Sequence, residues 1–596
     1  MSNQNSQMNR NSRILVGKLG SIMGPAFAAE ICTILSILAD SIVGQHYIDN
    51  RTVAAIALLS TFMTIVSAVH DLLGTSVTPL IVQAKCEHGD KEASRTLGDI
   101  LFIIGSMYIV IVLFVFIISK PFLGFITDDE ELISLALRYY YPILFMCPLN
   151  EVMFCTERAF KTEGNVGFFS IRMVITNVAN ILLDLLFIAV MKKSIEWLAY
   201  ATVISTLLGY AWSMSYGFRK DCRIRPDFSK TLQKARLQRT FKSQLEIGAP
   251  FFTGDIIMIA VTAYSNMMIL RVGGTVAMAC TGVLTNICLI TFRFNNAVIT
   301  NSNILFNALY IEDDYRGIRM TLKAVLSTIT AMSLFFVAVI TVFYVPLGKV
   351  YAVTEPGELR LLRVCFLTNG FCILWNAMSQ FLRTFLISIK KEKKSTVYTA
   401  AEKLSTLAFL FLASLLGKIE FIWLAIGWGS GICSIIMLLI LRRDKNDAVM
   451  YPVNDDQAAY SLLLETDNIV EATRELDRIL EERKIDSSIR NKTVLLVEET
   501  GVVIAEENKE KPLNADIRIR EKADKISIYI YYDGKALSAE EKIKSGEVDI
   551  EDCRITLIGK LSSEFRYTRI VGLNCIELNV PKPQECHTVS EPVLEG

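Results

Sequence analysis

Charge is scarce in this chain: Asp, Glu, Lys and Arg make up 20% of its 596 residues, whereas 52% are hydrophobic. With a mean hydropathy of +0.40, the composition is too apolar for an ordinary soluble protein and reads as that of a membrane protein. Net charge is also lacking, since 61 basic residues balance 61 acidic ones. No global field would recruit nucleic acid, so no nucleic-acid partner is expected. The thirteen cysteines include no CxxC pair, and Cys32, Cys147, Cys280 and Cys433 lie within apolar runs. They read as small hydrophobes, not as disulfides or metal ligands. The opening MSNQNSQMNRNSR is polar and leads into no short apolar h-region with a cleavage site, so no removable signal peptide is expected.

What is present is a series of long apolar runs. A hydrocarbon core about 30 Å thick takes about 20 helical residues to cross, and a lipid-exposed backbone must be helical to satisfy its own hydrogen bonds. Twelve such runs fall near 18–44, 52–84, 97–119, 133–155, 167–190, 195–217, 245–270, 276–305, 320–345, 359–386, 396–416 and 420–441. Lys and Arg excess marks cytoplasmic loops. Arg219, Lys220, Arg223, Arg225, Lys230, Lys234, Arg236, Arg239 and Lys242 crowd one connection, Lys390, Lys391, Lys393 and Lys394 mark another, and Arg442 and Arg443 follow the last run. Both termini are therefore expected in the cytoplasm, with Lys192 and Lys193 on the outer side as the exception.

A shift of 225 residues pairs Pro25 with Pro250, Phe27 with Phe252, Leu80 with Leu305, Thr96 and Leu97 with Thr321 and Leu322, Arg138 with Arg363, Arg158 with Arg383, and Phe160 with Phe385. One offset holding across several loops without gaps reads as an internal repeat. Six helices per repeat give both halves the same orientation, related by an axis along the membrane normal, with substrate between the lobes. The fold class expected is an all-α polytopic membrane protein of twelve transmembrane helices in two six-helix parallel repeats, followed by a C-terminal α/β sandwich domain. The parts are an N-lobe at 13–218, a basic cytoplasmic inter-lobe loop at 219–244, a C-lobe at 245–443 and a cytoplasmic domain at 452–585.

The first run reads GPAFAAEICTILSILADSIVG from Gly24 to Gly44, the fifth holds NILLDLLFI from Asn180 to Ile188, and the second half opens with GAPFFTGD from Gly248 to Asp255. Over residues 13–443 these segments resemble the multidrug and toxic compound extrusion (MATE) family. The resemblance implies a secondary active transporter, not an enzyme, that exports organic, often cationic, compounds in exchange for Na⁺ or H⁺ across the inner (plasma) membrane. It places Asp40, Asn180, Asp184 and Thr202 in a cation-coupling site, which would be the metal site of the chain if the ion is Na⁺. Independently, Asn180 and Asp184 are four residues apart and share a helix face, and an ionisable group inside a span is costly unless paired or hydrated. At the repeat offset Asp40 meets Ser265, Asn180 meets Ser405 and Asp184 meets Phe409, so carboxylates of this kind are confined to one lobe. The family's glycine-rich stretch before the sixth helix is here KKSIEWLAYATVIS, and its acidic residue in the tenth helix is missing from LTNGFCILWNAMSQF.

Four further charges are candidates for the substrate cavity. Glu30 and Asp255 correspond at the offset, Asp71 follows His70 in the second run, and Arg293 lies in the eighth. Arg293 reads either as one half of a structural ion pair or, if unpaired, as a group favouring an anionic substrate.

After Asn446 the apolar runs end, leaving about 145 residues, enough for one domain. NKTVLLVEETGVVIAEEN at 491–508 reads as an amphipathic helix with Val494, Val497, Gly501 and Ile504 on one face. Segments near 515–521, 525–533, 564–569 and 573–580 read as strands. The order resembles the histidine-kinase-like ATPase fold of anti-sigma-factor serine kinases, in degenerate form. Glu498 and Glu499 stand where that family carries its helix acid, but Val502 and Val503 follow where its Mg²⁺-binding Asn belongs. The adenine loop is reduced to Asp533 and Gly534, and RITLIGK replaces the glycine-rich lid. The expectation is a regulatory module that binds a cytoplasmic protein partner and neither holds ATP as a cofactor nor acts as a kinase. Alternatives to the exporter are a lipid-linked precursor flippase and a membrane-bound ligand sensor signalling through the C-terminal domain.

Overall fold

The computed structural model describes residues 13–47, 60–126, 129–194, 196–231, 233–350, 353, 355–443, 458–464, 466–509, 513–522, 524–538, 540, 543, 553–570 and 572–582, with the side chains of 37–47 and 60–65 among those left undescribed. The chain divides into two compact units, Leu19–Tyr451 and Met1–Lys18 with Pro452–Gly596.

The first unit is helical. In its N-terminal half lie α1 (Arg13–Tyr47), α2 (Ser60–Leu73), α3 (Val77–His88), α4 (Asp90–Ile126), α5 (Glu130–Lys161), α6 (Val166–Asp184) and α7 (Glu196–Met214). Then come α8 (Lys234–Ile311), α9 (Tyr315–Val342), α10 (Tyr344–Val350), α11 (Pro356–Asn369), α12 (Cys372–Ser388), α13 (Glu392–Leu415) and α14 (Ile419–Arg443). Among the described residues, eight helical stretches are long and apolar enough to cross a membrane. Each half has its own core. Leu97, Ile100, Ile104, Tyr140 and Leu144 are buried in the first, and Ile269, Cys280, Leu362, Phe366 and Trp423 in the second.

Two expected spans take a different form. The run read as 52–84 is interrupted, because a 3₁₀ turn at Gly74–Ser76 separates α2 from α3, and residues 52–59 lie outside the described residues. A break inside an apolar layer frees backbone carbonyls that need donors. Here Thr75 Oγ1 donates to the Asp71 carbonyl (2.8 Å), Ser76 Oγ to Leu73 (2.6 Å) and Arg158 Nη1 to Gly74 (2.9 Å). Gln244 Nε2 reaches the Leu73 carbonyl from α8 at 3.4 Å. Side chains thus replace the lost helix bonds, which composition alone does not reveal. The seventh and eighth runs are joined end to end in α8, with Gly274 at φ +70° as the kink between them. Glycine takes that left-handed conformation without steric cost.

The two halves touch closely at the break in α2. A Cβ at Gly248 would lie 1.8 Å from the Leu72 carbonyl oxygen, so the backbones of α2 and α8 meet there with no room for a side chain.

The basic inter-lobe connection folds back onto α4. Arg236 pairs with both Glu92 and Asp99, Arg95 with Asp227, and Arg223 with Asp90. The amides of Arg225 and Asp227 bond to the hydroxyl and carbonyl of Ser94. Glu163 Oε1 accepts from the amides of Arg223 (2.8 Å) and Ile224 (3.0 Å). Part of the loop's positive charge is therefore spent on carboxylates of the N-terminal half.

The second unit holds a five-stranded antiparallel sheet of order β1-β2-β3-β5-β4, made of β1 (Ala458–Leu464), β2 (Leu513–Glu521), β3 (Lys525–Tyr532), β4 (Glu564–Ile570) and β5 (Leu573–Pro581). With it come α15 (Thr466–Glu482), α16 (Ser487–Glu507) and α17 (Cys553–Leu561). Alternation decides the sheet's inner face: Ile517 and Ile519, Ile528 and Ile530, and Ile576 and Leu578 enter one core with Ile469 and Leu476 of α15 and Leu496, Val497 and Ile504 of α16.

Glu163 supplies a test of the loop anchor. Burial raises its pKa above the ordinary 4.5, so the folded state favours the protonated form. That stability is complete below about pH 4.5 and is lost as pH rises through the higher folded value. Glu163→Gln keeps the acceptor oxygen without the charge. The melting temperature of this variant should rise relative to wild type as pH is raised above about 4.5 in purified full-length protein.

Candidate functional site

Helices α1 and α6 are tied together by Asn177, whose Nδ2 donates to Thr33 Oγ1 at 2.9 Å. Asp184 lies seven residues beyond Asn177, two helical turns along the same face, and Asp40 lies seven residues beyond Thr33 on α1. The side chain of Asp40 lies outside the described residues. Asn180 is half-buried on α6, while Asp184 is 4% exposed and is the last residue of that helix before a π-helical turn at Leu185–Val190. Single π turns inside helices concentrate at functional sites, because the added residue re-aims the side chains that follow.

Thr202 stands apart from these residues in its bonding. It is exposed on α7 and its hydroxyl donates to the Leu198 carbonyl of its own helix at 3.1 Å. Close packing between α6 and α7 occurs further along, where Gly209 abuts Thr176. The residue missed by sequence reasoning is Asn177, and the signal available was its seven-residue spacing from Asp184.

The other four candidates fall into two places. Glu30 is half-buried, with Oε2 enclosed and lacking a hydrogen-bond partner among the described residues, and Arg293 on α8 acts on its carboxylate electrostatically. Phe27 and Phe294, neighbours of this pair, are in ring contact at 5.9 Å. Asp71 of α2 and Asp255 of α8 act on each other electrostatically where the two halves join. Around them stand Arg158, Arg383 and the His70–Glu151 pair (2.6 Å). Arg158 lies over the Phe154 ring and Arg383 over Phe251, so the arginines matched by the 225-residue offset approach the same place from opposite halves.

In the second unit Glu498 is half-buried on α16, and Glu499 Oε2 is paired with Arg554 of α17 at 3.3 Å. Arg554 also reaches Glu506 at 2.9 Å. Asp533 accepts from Lys18 Nζ at 2.9 Å. A Cβ on Gly534 would meet Asn508 Oδ1 at 2.7 Å, and that oxygen accepts the Lys535 amide. The segment in place of a glycine-rich lid is thus a helix whose first turn is bound to the acids of α16.

Residues 25–186 match the sequence profile of the MatE family. Comparison with curated protein sequences finds no match. Among solved structures, a MATE protein in complex with MaL6 is similar at 17% identity and a TM-score of 0.66, covering 74% of this chain and 99% of that one. An outward-facing multidrug resistance MATE family transporter of the MOP superfamily is similar at 16% identity and 0.66, covering 73% and 97%. A MOP superfamily transporter from Pyrococcus furiosus, described as having a binding pocket of reverse polarity, matches at 17% and 0.66, covering 74% and 99%. The helical unit therefore has the fold of MATE transporters, and the chain is a multi-pass membrane protein.

Asn177→Ala removes a hydrogen bond between two helices and should lower the unfolding free energy of the full-length protein by about 1 kcal/mol. Thr202→Ala, which removes only a bond within one helix, should leave the melting temperature within error of wild type. Thermal unfolding in detergent measures both.

Proposed function

We propose that this chain is a MATE-type secondary active transporter of the plasma membrane that exports organic, often cationic, compounds in exchange for Na⁺ or H⁺. The observation that carries the reading is the Asn177–Thr33 bond, since it sets α1 and α6 side by side two turns before the residues Asp40 and Asp184. Two carboxyls and an Asn side chain in an apolar layer form an all-oxygen ligand set of the kind hard cations take. The same carboxyls can instead carry protons. Binding an ion or a proton there neutralises charge that is otherwise costly in the span, and this is what couples occupancy to rearrangement of the lobes. Twelve helices in two parallel repeats, with the N-lobe site as the coupling site, complete the reading.

Gradient-driven efflux from vesicles reconstituted with the full chain tests it. Under imposed Na⁺ and pH gradients, Asp40→Asn and Asp184→Asn should each lower the efflux rate about tenfold or more, the effect of losing about 1.4 kcal/mol of ion binding. Efflux unchanged in both variants would remove the coupling site.

The C-terminal unit is, in this reading, a cytoplasmic regulatory module of degenerate histidine-kinase-like ATPase type. The Arg554 bridges to Glu499 and Glu506 and the Lys18 contact to Asp533 support it, because they occupy the acids a nucleotide site would use. Calorimetry of the full-length protein with ATP and Mg²⁺ should give no saturable heat. Binding of one nucleotide per chain would overturn the assignment.

A further inference from the structure

The basic connection between the halves carries two kinds of cation. Arg223 and Arg236 are paired with carboxylates of α4. Arg219, Lys220 and Arg225 are exposed and form no ion pair among the described residues. The chain gathers these three. A 3₁₀ turn at Ser215–Phe218 follows α7, and Arg219 leaves it in extended conformation. The Arg219 carbonyl then accepts from the Cys222 amide (3.2 Å) and from Arg225 Nη2 (3.0 Å), which closes a tight turn and folds the Arg225 guanidinium back onto it. Asp221 is the one acid in the turn, so this surface keeps an excess of positive charge.

The charged turn continues an apolar surface. Ile204, Leu208 and Trp212 are exposed at four-residue spacing on α7, a stripe of the kind that faces lipid. The Trp212 ring stacks on Phe168 of α6 at 4.9 Å, and its Nε1 donates to the Phe168 carbonyl at 3.0 Å. The Arg219 guanidinium in turn lies 4.3 Å from the centre of the Phe168 ring. Trp212, Phe168 and Arg219 thus lead from the apolar stripe to the cations, and tryptophan is a residue that favours the boundary of hydrocarbon and water. Next in the chain to Arg219, Phe218 is 90% exposed. A ring of this size gains from burial in an apolar phase, and the cations beside it gain from negative charge at a membrane surface. An anionic phospholipid offers both, and continuity with a lipid-facing helix favours it over a soluble acidic protein.

We propose that the turn Arg219–Cys222, with Phe218 and Arg225, is a binding site for an anionic phospholipid. Phe218 enters the leaflet beside the acyl chains, while Arg219, Lys220 and Arg225 hold the phosphate. Arginine suits this task because its planar fork presents two parallel N–H donors to phosphate oxygens. The connection that carries the turn is fastened to α4 through Arg223 and Arg236, so the lipid holds the N-terminal half at the membrane surface. Placing it in the cytoplasmic leaflet rests on the orientation that the basic loops imply. The binding itself does not.

Tryptophan fluorescence of full-length Phe218→Trp protein in lipid vesicles tests the site. The difference between this variant and wild type isolates residue 218 from the five native tryptophans. In a phosphatidylcholine bilayer, phosphatidylglycerol brominated on its acyl chains should quench residue 218 more strongly than brominated phosphatidylcholine at equal mole fraction. The exchange constant should favour the anionic lipid at least about tenfold. Lys220→Gln and Arg225→Gln, each added to that variant, should each reduce the preference about fivefold, and about 1 M salt should weaken it as well. Lys349→Gln, which removes an exposed cation of the C-terminal half, should leave it unchanged. Equal quenching by the two lipids, or a preference that survives Lys220→Gln and Arg225→Gln combined, would overturn the site. Quenching by neither lipid would do the same, because residue 218 would then lie outside the leaflet. Suppression of the preference by millimolar glycerol phosphate would assign the cations to a soluble anion and overturn the lipid. The measurement reads no transport, so failure of the exporter reading leaves it standing.

Discussion

In an apolar slab every charge must be matched, by an opposite charge, by water or by a proton, and the placement of ionisable groups in the helical unit follows that rule. Within the helices, Arg172 of α6 pairs with the buried Glu157 of α5. Where a helix breaks, as at Gly74–Ser76, the freed carbonyls draw in Arg158 and Gln244, and the arginine in turn draws in Glu151 and Asp71. One backbone defect thus accounts for the neighbouring polar cluster, because each group added to satisfy the last needs a partner itself.

The arrangement is divided unequally between the halves. The 225-residue offset reproduces the arginines but not the rings they lie over, since Phe154 meets Ser379 and Phe251 meets Ala26, and the Asp184 carboxyl of α6 has no counterpart in α13. In the transporter proposed above, symmetry would serve the framework and a single asymmetric site would serve ion coupling. The boundary cluster is the place where the symmetric and asymmetric parts meet.

Much of this was legible in the sequence, for physical reasons that differ by feature. Apolar run length gives helices directly, so α4, α9 and α14 fall where composition places them, and period-two alternation located β2 to β5. The four-residue spacing of Asn180 and Asp184 made Asp184 a candidate, since helix geometry is local. The division of the second span was hidden, because a Gly-Thr-Ser break in an apolar run is stabilised only by distant residues. The electrostatic coupling of Asp71 and Asp255 was hidden too, for it depends on how two halves dock. Arg293 could be read two ways from sequence, and its electrostatic action on the Glu30 carboxylate depends on the docking of α1 and α8, which sequence does not carry.

The connection between the halves has a mechanical consequence. Its residues 223–227 are fastened to α4 and to Glu163, and Arg236, already in the first turn of α8, grips Glu92 and Asp99. The length of chain that could act as slack between the lobes is thereby taken up, and the start of α8 travels with the N-terminal half. In the transporter proposed above, rocking of the C-terminal half would pivot within α8 itself, between Arg236 and the packed Gly248, over about three helical turns. In that motion the basic connection would be a fixed bearing, and the helix that leaves it the lever.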